Sequence, residues 1–134
     1  MASIDTALYT RLGGFAGLTA LVSTRIYPPP VPQNATYPCV SYSQVSGVRD
    51  YVMGNQSGLV QSRYQLDSWA TTSTGARAVA EQVRLALSNY AGTSDTIVID
   101  YVLMESETRI FEDESDLHRI SQDFIVHYRE TLPA

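Results

Sequence analysis

The sequence predicts an α+β domain, an antiparallel or mixed β-sheet with helices packed on one face, in the order α-α-β-β-α-β-β. Three observations carry this. Residues 59–90 open with a two-residue alternation and switch within a few residues to a helical repeat. Residues 39–46, 96–104 and 117–129 also read as strands. No parallel βαβ repeat signature is visible, which suggests an antiparallel or mixed sheet.

The elements follow in chain order. Ser3 is a candidate N-cap, Ile4, Ala7, Leu8 and Leu12 make an apolar stripe, and Gly13-Gly14 stops the helix. Residues 15–22 predict a second short helix. Residues 28–38 hold five of the six prolines, so they predict a stiff, extended loop. Residues 39–46 alternate as a strand, and 47–58, with Gly47, Gly54, Asn55 and Gly58, read as a long connection. In the next strand Val60, Tyr64 and Leu66 share one face with Ser62 and Ser68, and Gln61, Arg63, Gln65, Asp67 and Trp69 share the other. Ala76, Val79, Ala80, Val83, Ala86, Leu87 and Tyr90 then form one helical stripe, predicting a helix from a cap at Thr72 or Ser73 to Gly92. In the last strand Ile120, Phe124, Val126 and Tyr128 oppose Arg119, Ser121, Asp123, His127 and Arg129.

At 134 residues the chain is expected to be a single domain, 1–134, able to bury a core without staples. Cys39 is the one cysteine, so an intrachain disulfide and a cysteine zinc site are excluded. The start of the chain lacks a signal-peptide pattern and no apolar run approaches 18 residues, which predicts a soluble protein made in the cytoplasm, with no membrane contact. All nine basic residues are arginine. Residues 105–116 hold Glu105, Glu107, Glu112, Asp113, Glu114 and Asp116 against Arg109, which accounts for the whole net charge of −5. This predicts a solvated acidic hairpin tip. No basic patch offers phosphate neutralisation, so nucleic-acid binding by charge is excluded.

No constellation for catalysis emerges. His118 and His127 are nine residues apart in one strand and fall on opposite faces, so they cannot share a metal. Cys39 has no sequence-local base and reads as a small buried hydrophobe. No serine sits in a nucleophile-elbow pattern, and the glycines of 13–17 do not follow a strand. The acidic run lacks calcium-loop spacing. No cofactor is therefore expected. Arg63, Gln65, Asp67 and Trp69 form either an ordinary solvent face or a protein contact surface, where Trp and Arg are favoured anchors.

Three segments in order resemble one family: RIYPPPVPQNATYPCVSYSQVS at 25–46, RYQLDSWATTSTGARAVAEQVRLAL at 63–87, and SQDFIVHYRE at 121–130. ALYTRL at 7–12 and ALVSTRIYP at 20–28 add to them. Together they are similar to the tail-completion proteins of long-tailed bacteriophages, prophages and gene transfer agents, the tail terminators or tail-to-head joining proteins. The resemblance covers nearly the whole chain. It implies a non-enzymatic virion subunit at the head-proximal end of the tail, made in the host cytoplasm. It implies a ring, usually of six copies, that caps the tail tube protein, halts its polymerisation, meets the head connector, and lets DNA pass without sequence-specific binding. A ring contact is heterologous, so each subunit needs two unlike patches. By position, the candidates are Arg49, Asp50, Tyr51, Met53 and Asn55, with Arg63, Gln65, Asp67 and Trp69. The six acids above would form a lumenal or axial tip. Alternatives are a head-completion or adaptor ring of the same virion, and a small-ligand-binding or enzymatic α+β domain.

Overall fold

The computed structural model describes residues 4–28, 31–32, 35–52, 55–94, 97–112 and 116–130. Three helices and six strands follow one another as α1 (Ile4–Gly13), α2 (Ala16–Val22), β1 (Ile26–Tyr27), β2 (Cys39–Val52), β3 (Asn55–Ala70), α3 (Ser73–Leu87), β4 (Gly92–Ser94), β5 (Ile97–Glu112) and β6 (Leu117–Glu130). The strands make one mixed sheet in the order β1-β2-β3-β6-β5-β4. Among the described residues, only the β1–β2 pair is parallel. The fold is thus α+β, and the expected element order needs correction by two strands. β1 and β4 are two and three residues long, too short for a period to register in sequence.

Two further expectations need correction. Residues 47–58 are not a long connection. β2 runs on to Val52 and β3 starts at Asn55, so Gly47 and Gly58 sit inside strands, and Gly54 lies outside the described residues. A Cβ on Gly47 would lie 2.9 Å from Gln44 Nε2, so this glycine marks a close approach within the strand. The acidic run is likewise longer than a tip, because β5 continues to Glu112. The candidate cap Ser3 lies outside the described residues.

α3 forms where its pattern dictates. The Thr72 side chain accepts a hydrogen bond from Gly75 N–H at 3.0 Å, and an extended Thr72 starts the helix. Ala76, Val79, Ala80, Val83, Ala86 and Leu87 are all buried. The helix stops at Leu87 rather than near Gly92, because Asn89 takes a left-handed backbone (φ 61°) and its N–H turns to Val102 O at 2.8 Å. Val60, Tyr64 and Leu66 of β3 join Val79, Val83 and Leu87 of α3 in one apolar cluster. Each large aliphatic side chain buried there contributes on the order of 1.5–3 kcal/mol.

Two polar groups are tied into this interior. The buried Tyr64 hydroxyl donates to Asp5 at the start of α1. Burial first, and that hydrogen bond second, push the phenol far above its ordinary pKa. Buried Gln122 of β6 donates to Ala80 O at 3.1 Å and to Glu107 Oε1 at 3.0 Å, linking α3, β6 and β5.

β3 and β6 pair without interruption over twelve rungs, Leu59↔Arg129 to Ala70↔His118. Their outer neighbours are irregular. β2 shifts register between Gln44 and Ser46 and between Arg49 and Tyr51. β5 shifts between Ile99 and Tyr101 and between Met104 and Ser106. Three of these shifts insert one extra residue in the outer strand and add local twist, whereas between Arg49 and Tyr51 one residue of β2 lies opposite three of β3.

Candidate contact surface

The face of β3 turned away from the core carries Gln61, Arg63, Gln65, Asp67 and Trp69, all exposed or half-buried. Register lines them up with β6. Trp69 faces Arg119, Asp67 faces Ser121, Gln65 faces Asp123, Arg63 faces Ile125, and Gln61 faces His127. The charges on this face pair with one another. Arg63 forms an ion pair with Glu105 at 2.7 Å and approaches Asp123 at 3.7 Å. Its bond to Glu105 holds the guanidinium still more firmly protonated. Asp67 meets Arg119 at 3.8 Å, and Gln65 donates to Asp67 at 3.2 Å. Arg129 pairs with Asp100 at 3.0 Å. Trp69 donates from its indole N–H to Ser41 Oγ at 3.2 Å, and the Arg119 guanidinium sits 5.1 Å from its ring.

This is a pre-organised polar lattice, with its side chains already held in one geometry. Each exposed pair adds little stability, about 0.2–1 kcal/mol. What the lattice does add is a fixed shape, which lowers the ordering cost of a protein contact. Apolar groups flank it: Val45, Val48, Leu59, Tyr101 and Leu103 are all at least 43% exposed. His127 stacks on Tyr101 with ring centres 4.2 Å apart.

The structure joins residues that sequence kept apart. Arg63 and Glu105 belonged to two different candidate patches, and here they are partners. Arg49, Asp50 and Tyr51 lie in β2, and Asn55 opens β3. Met53, Asp113 and Glu114 lie outside the described residues. Glu105 points to Arg63, whereas Glu107 bonds Gln122 from the opposite side of the sheet. Glu112 ends β5, and Asp116 adopts φ 58° beside the start of β6.

The long strands also define two ends. β2 and β3 meet through the pair Val52↔Asn55. β5 and β6 meet through Glu112↔Leu117. Register places these meetings at opposite ends of the sheet, since Leu59 of β3 faces Arg129 and Ala70 faces His118. The 16 residues of β3 separate the two ends by about 50 Å.

The reactive groups are accounted for elsewhere. Cys39 is buried, and that burial pushes its thiol up to about 11, with Arg25 pulling weakly the other way. His118 packs on Phe111 with ring centres 4.8 Å apart, and His127 is on the other face. Among the described residues, no group of three or more His, Cys, Asp or Glu is placed to hold a metal, and no helix is long and apolar enough to cross a membrane.

The fold is an α+β sheet whose outward face is cross-linked by paired side chains. Residues 6–129 match the family described as tail completion protein gp17, and the chain belongs to that family. It is a structural protein of the phage tail, a virion component and not an enzyme. A search of curated protein sequences finds no match. Among solved structures, the fold is similar to a chain of the virion of a native gene transfer agent particle, with TM-score 0.74 and 19% identity, covering 91% of each chain.

Proposed function

We propose that this protein forms a ring, six copies in the reading carried from its family resemblance, that caps the tail tube, stops its polymerisation and joins it to the head connector. The observation that carries this is the double-ended sheet. One subunit presents the β2–β3 end to one axial neighbour and the β5–β6 end to another, some 50 Å apart. A terminator needs that asymmetry. It must satisfy the growing end of the tube while offering a surface that does not recruit another tube subunit.

Charge supports the same reading. Glu112 and Asp116 flank the β5–β6 end, with Asp113 and Glu114 between them in sequence, whereas Glu105 and Glu107 lie further back along β5 and bond Arg63 and Gln122. Six copies would gather roughly thirty negative charges along their β5–β6 arms, with the four outermost acids of each copy at one lumenal or axial level. Their repulsion reaches about 8 Å at physiological salt, enough to keep DNA sliding rather than bound. The β2–β3 arm and the polar lattice are then the subunit and tube contacts.

Electron microscopy of a deletion lysate tests the proposal. Filled heads beside free, overgrown tails are the expected outcome. Heads that leak DNA beside free tails of normal length would transfer the role to head completion. Unaffected infectious particles would remove both.

A further inference from the structure

We propose that neighbouring copies join edge to edge. The outer edge of β2 in one copy adds antiparallel to the outer edge of β5 in the next, continuing one sheet from subunit to subunit. This rests on the ring reading above.

Both outer edges of the sheet are only partly covered. β1 pairs with Val40 and Ser41 alone, so among the described residues β2 has no outer strand from Tyr42 to Val52. β4 pairs with Ile97 to Ile99, and Asn89 N–H reaches Val102 O. From Leu103 to Glu112 β5 likewise has no outer strand among the described residues. Unpaired edges of about ten residues are templates for another strand.

The direction of the free backbone groups can be derived. Val40 N–H points outward to Arg25 O at 3.0 Å. Residues in phase with it, Tyr42 and Gln44, therefore also point outward, as does Gly47 beyond the bulge, where it faces Ser62. On β5, Val102 O points outward, so Met104 does too, and beyond its bulge Glu107, Arg109 and Phe111 follow. Each edge therefore offers an alternating ladder of donors and acceptors.

Three observations select a second copy as the occupant. First, β2 and β5 run in opposite directions within the sheet, so rotation about an axis places β5 of one copy antiparallel beside β2 of the next. Secondly, the covers sit on diagonal corners. β1 covers β2 at the level of Ser68, whereas β4 covers β5 at the level of Arg129. The bare halves meet when one copy is staggered along the strand against the next, and closing any sheet into a ring requires a stagger. Thirdly, the first part of the bare β2 edge is uncharged. Cys39–Val48 contain no charge and no proline, and Val45 and Val48 are 55% and 66% exposed. Natural edges facing solvent carry charge or proline for protection, and the stretch 42–48 of this edge lacks both, with the charges Arg49 and Asp50 coming only beyond it. The β5 edge carries its own exposed apolar groups, Leu103 and Phe111.

Hydrogen exchange tests the contact, comparing dilute chain with oligomers formed at high concentration or on isolated tails. Peptides covering 42–48 and 104–111 should both slow at least tenfold on assembly. The variant Arg109→Pro removes an outward N–H without touching an internal rung. It should keep its melting temperature and weaken association at least tenfold, while Arg109→Ala should not. Light scattering reads the association. Oligomers without protection at either edge, or with only one edge protected, would overturn the edge contact and leave the ring standing. A chain that stays monomeric at every concentration and on tails would overturn the ring reading itself.

Discussion

The two faces of β3 share one backbone and serve opposite ends. Val60, Ser62, Tyr64, Leu66 and Ser68 are all at most 5% exposed and meet a helix stripe of matching period. Arg63, Gln65, Asp67 and Trp69, interleaved with them, meet one another's charges and those of β5 and β6. The core face is stabilised by area removed from water, so it tolerates little change. The polar face gains little stability and is free to be chosen for what it meets. A strand can therefore hold a fold with one parity of its residues and leave the other parity free to vary.

Substitutions ordered by expected effect probe that division. The largest is Val83→Asp, which places a charge at a fully buried position against Tyr64 and Leu66. A loss of several kcal/mol is expected, enough to unfold a domain of ordinary stability. A soluble variant with an unchanged melting curve would break the assignment of this face. Next is Leu66→Ala, a cavity in the same cluster, with an expected cost of about 2–5 kcal/mol by denaturant titration. Tyr64→Phe keeps the ring and removes the hydroxyl bound to Asp5. Its expected cost is about 1 kcal/mol, and a neutral result would show that solvent replaces this bond without penalty. The smallest is Arg63→Ala. The lost pairs are partly exposed, so the expected stability change is about 0–1 kcal/mol. Its effect should surface in tail joining, scored by complementation of a deletion. A large drop in melting temperature would show that the polar lattice also holds the fold.

What could be read from sequence follows the same division. α3 and β3 were legible because each exposes one side to a core, and that side repeats with the period of its own backbone. β1 and β4 were not, since two or three residues carry no period. Residues 47–58 misled because glycine is common in turns, whereas Gly47 here admits the Gln44 amide beside the strand. The candidate contact surface was legible only as a list of residues. Arg63 with Glu105, and Asp67 with Arg119, are 42 and 52 residues apart, and only strand order and register bring them together. These pairings satisfy the charges of the face within the chain, and no local pattern contains them.

The irregularities on β2 and β5 have a consequence for how such a chain can vary. Along β5, Ile97 and Ile99 point to the core, then Val102 and Met104, then Glu107. The inward parity goes from odd to even and back to odd, switching at each extra residue. An insertion or deletion of one residue in an arm therefore inverts every side chain beyond it, unless a second such change follows. Lengthening an arm by two residues per strand preserves both faces. Related chains that reach different neighbours are thus expected to differ in arm length by even steps, with single-residue changes confined to the positions where the ladder already slips.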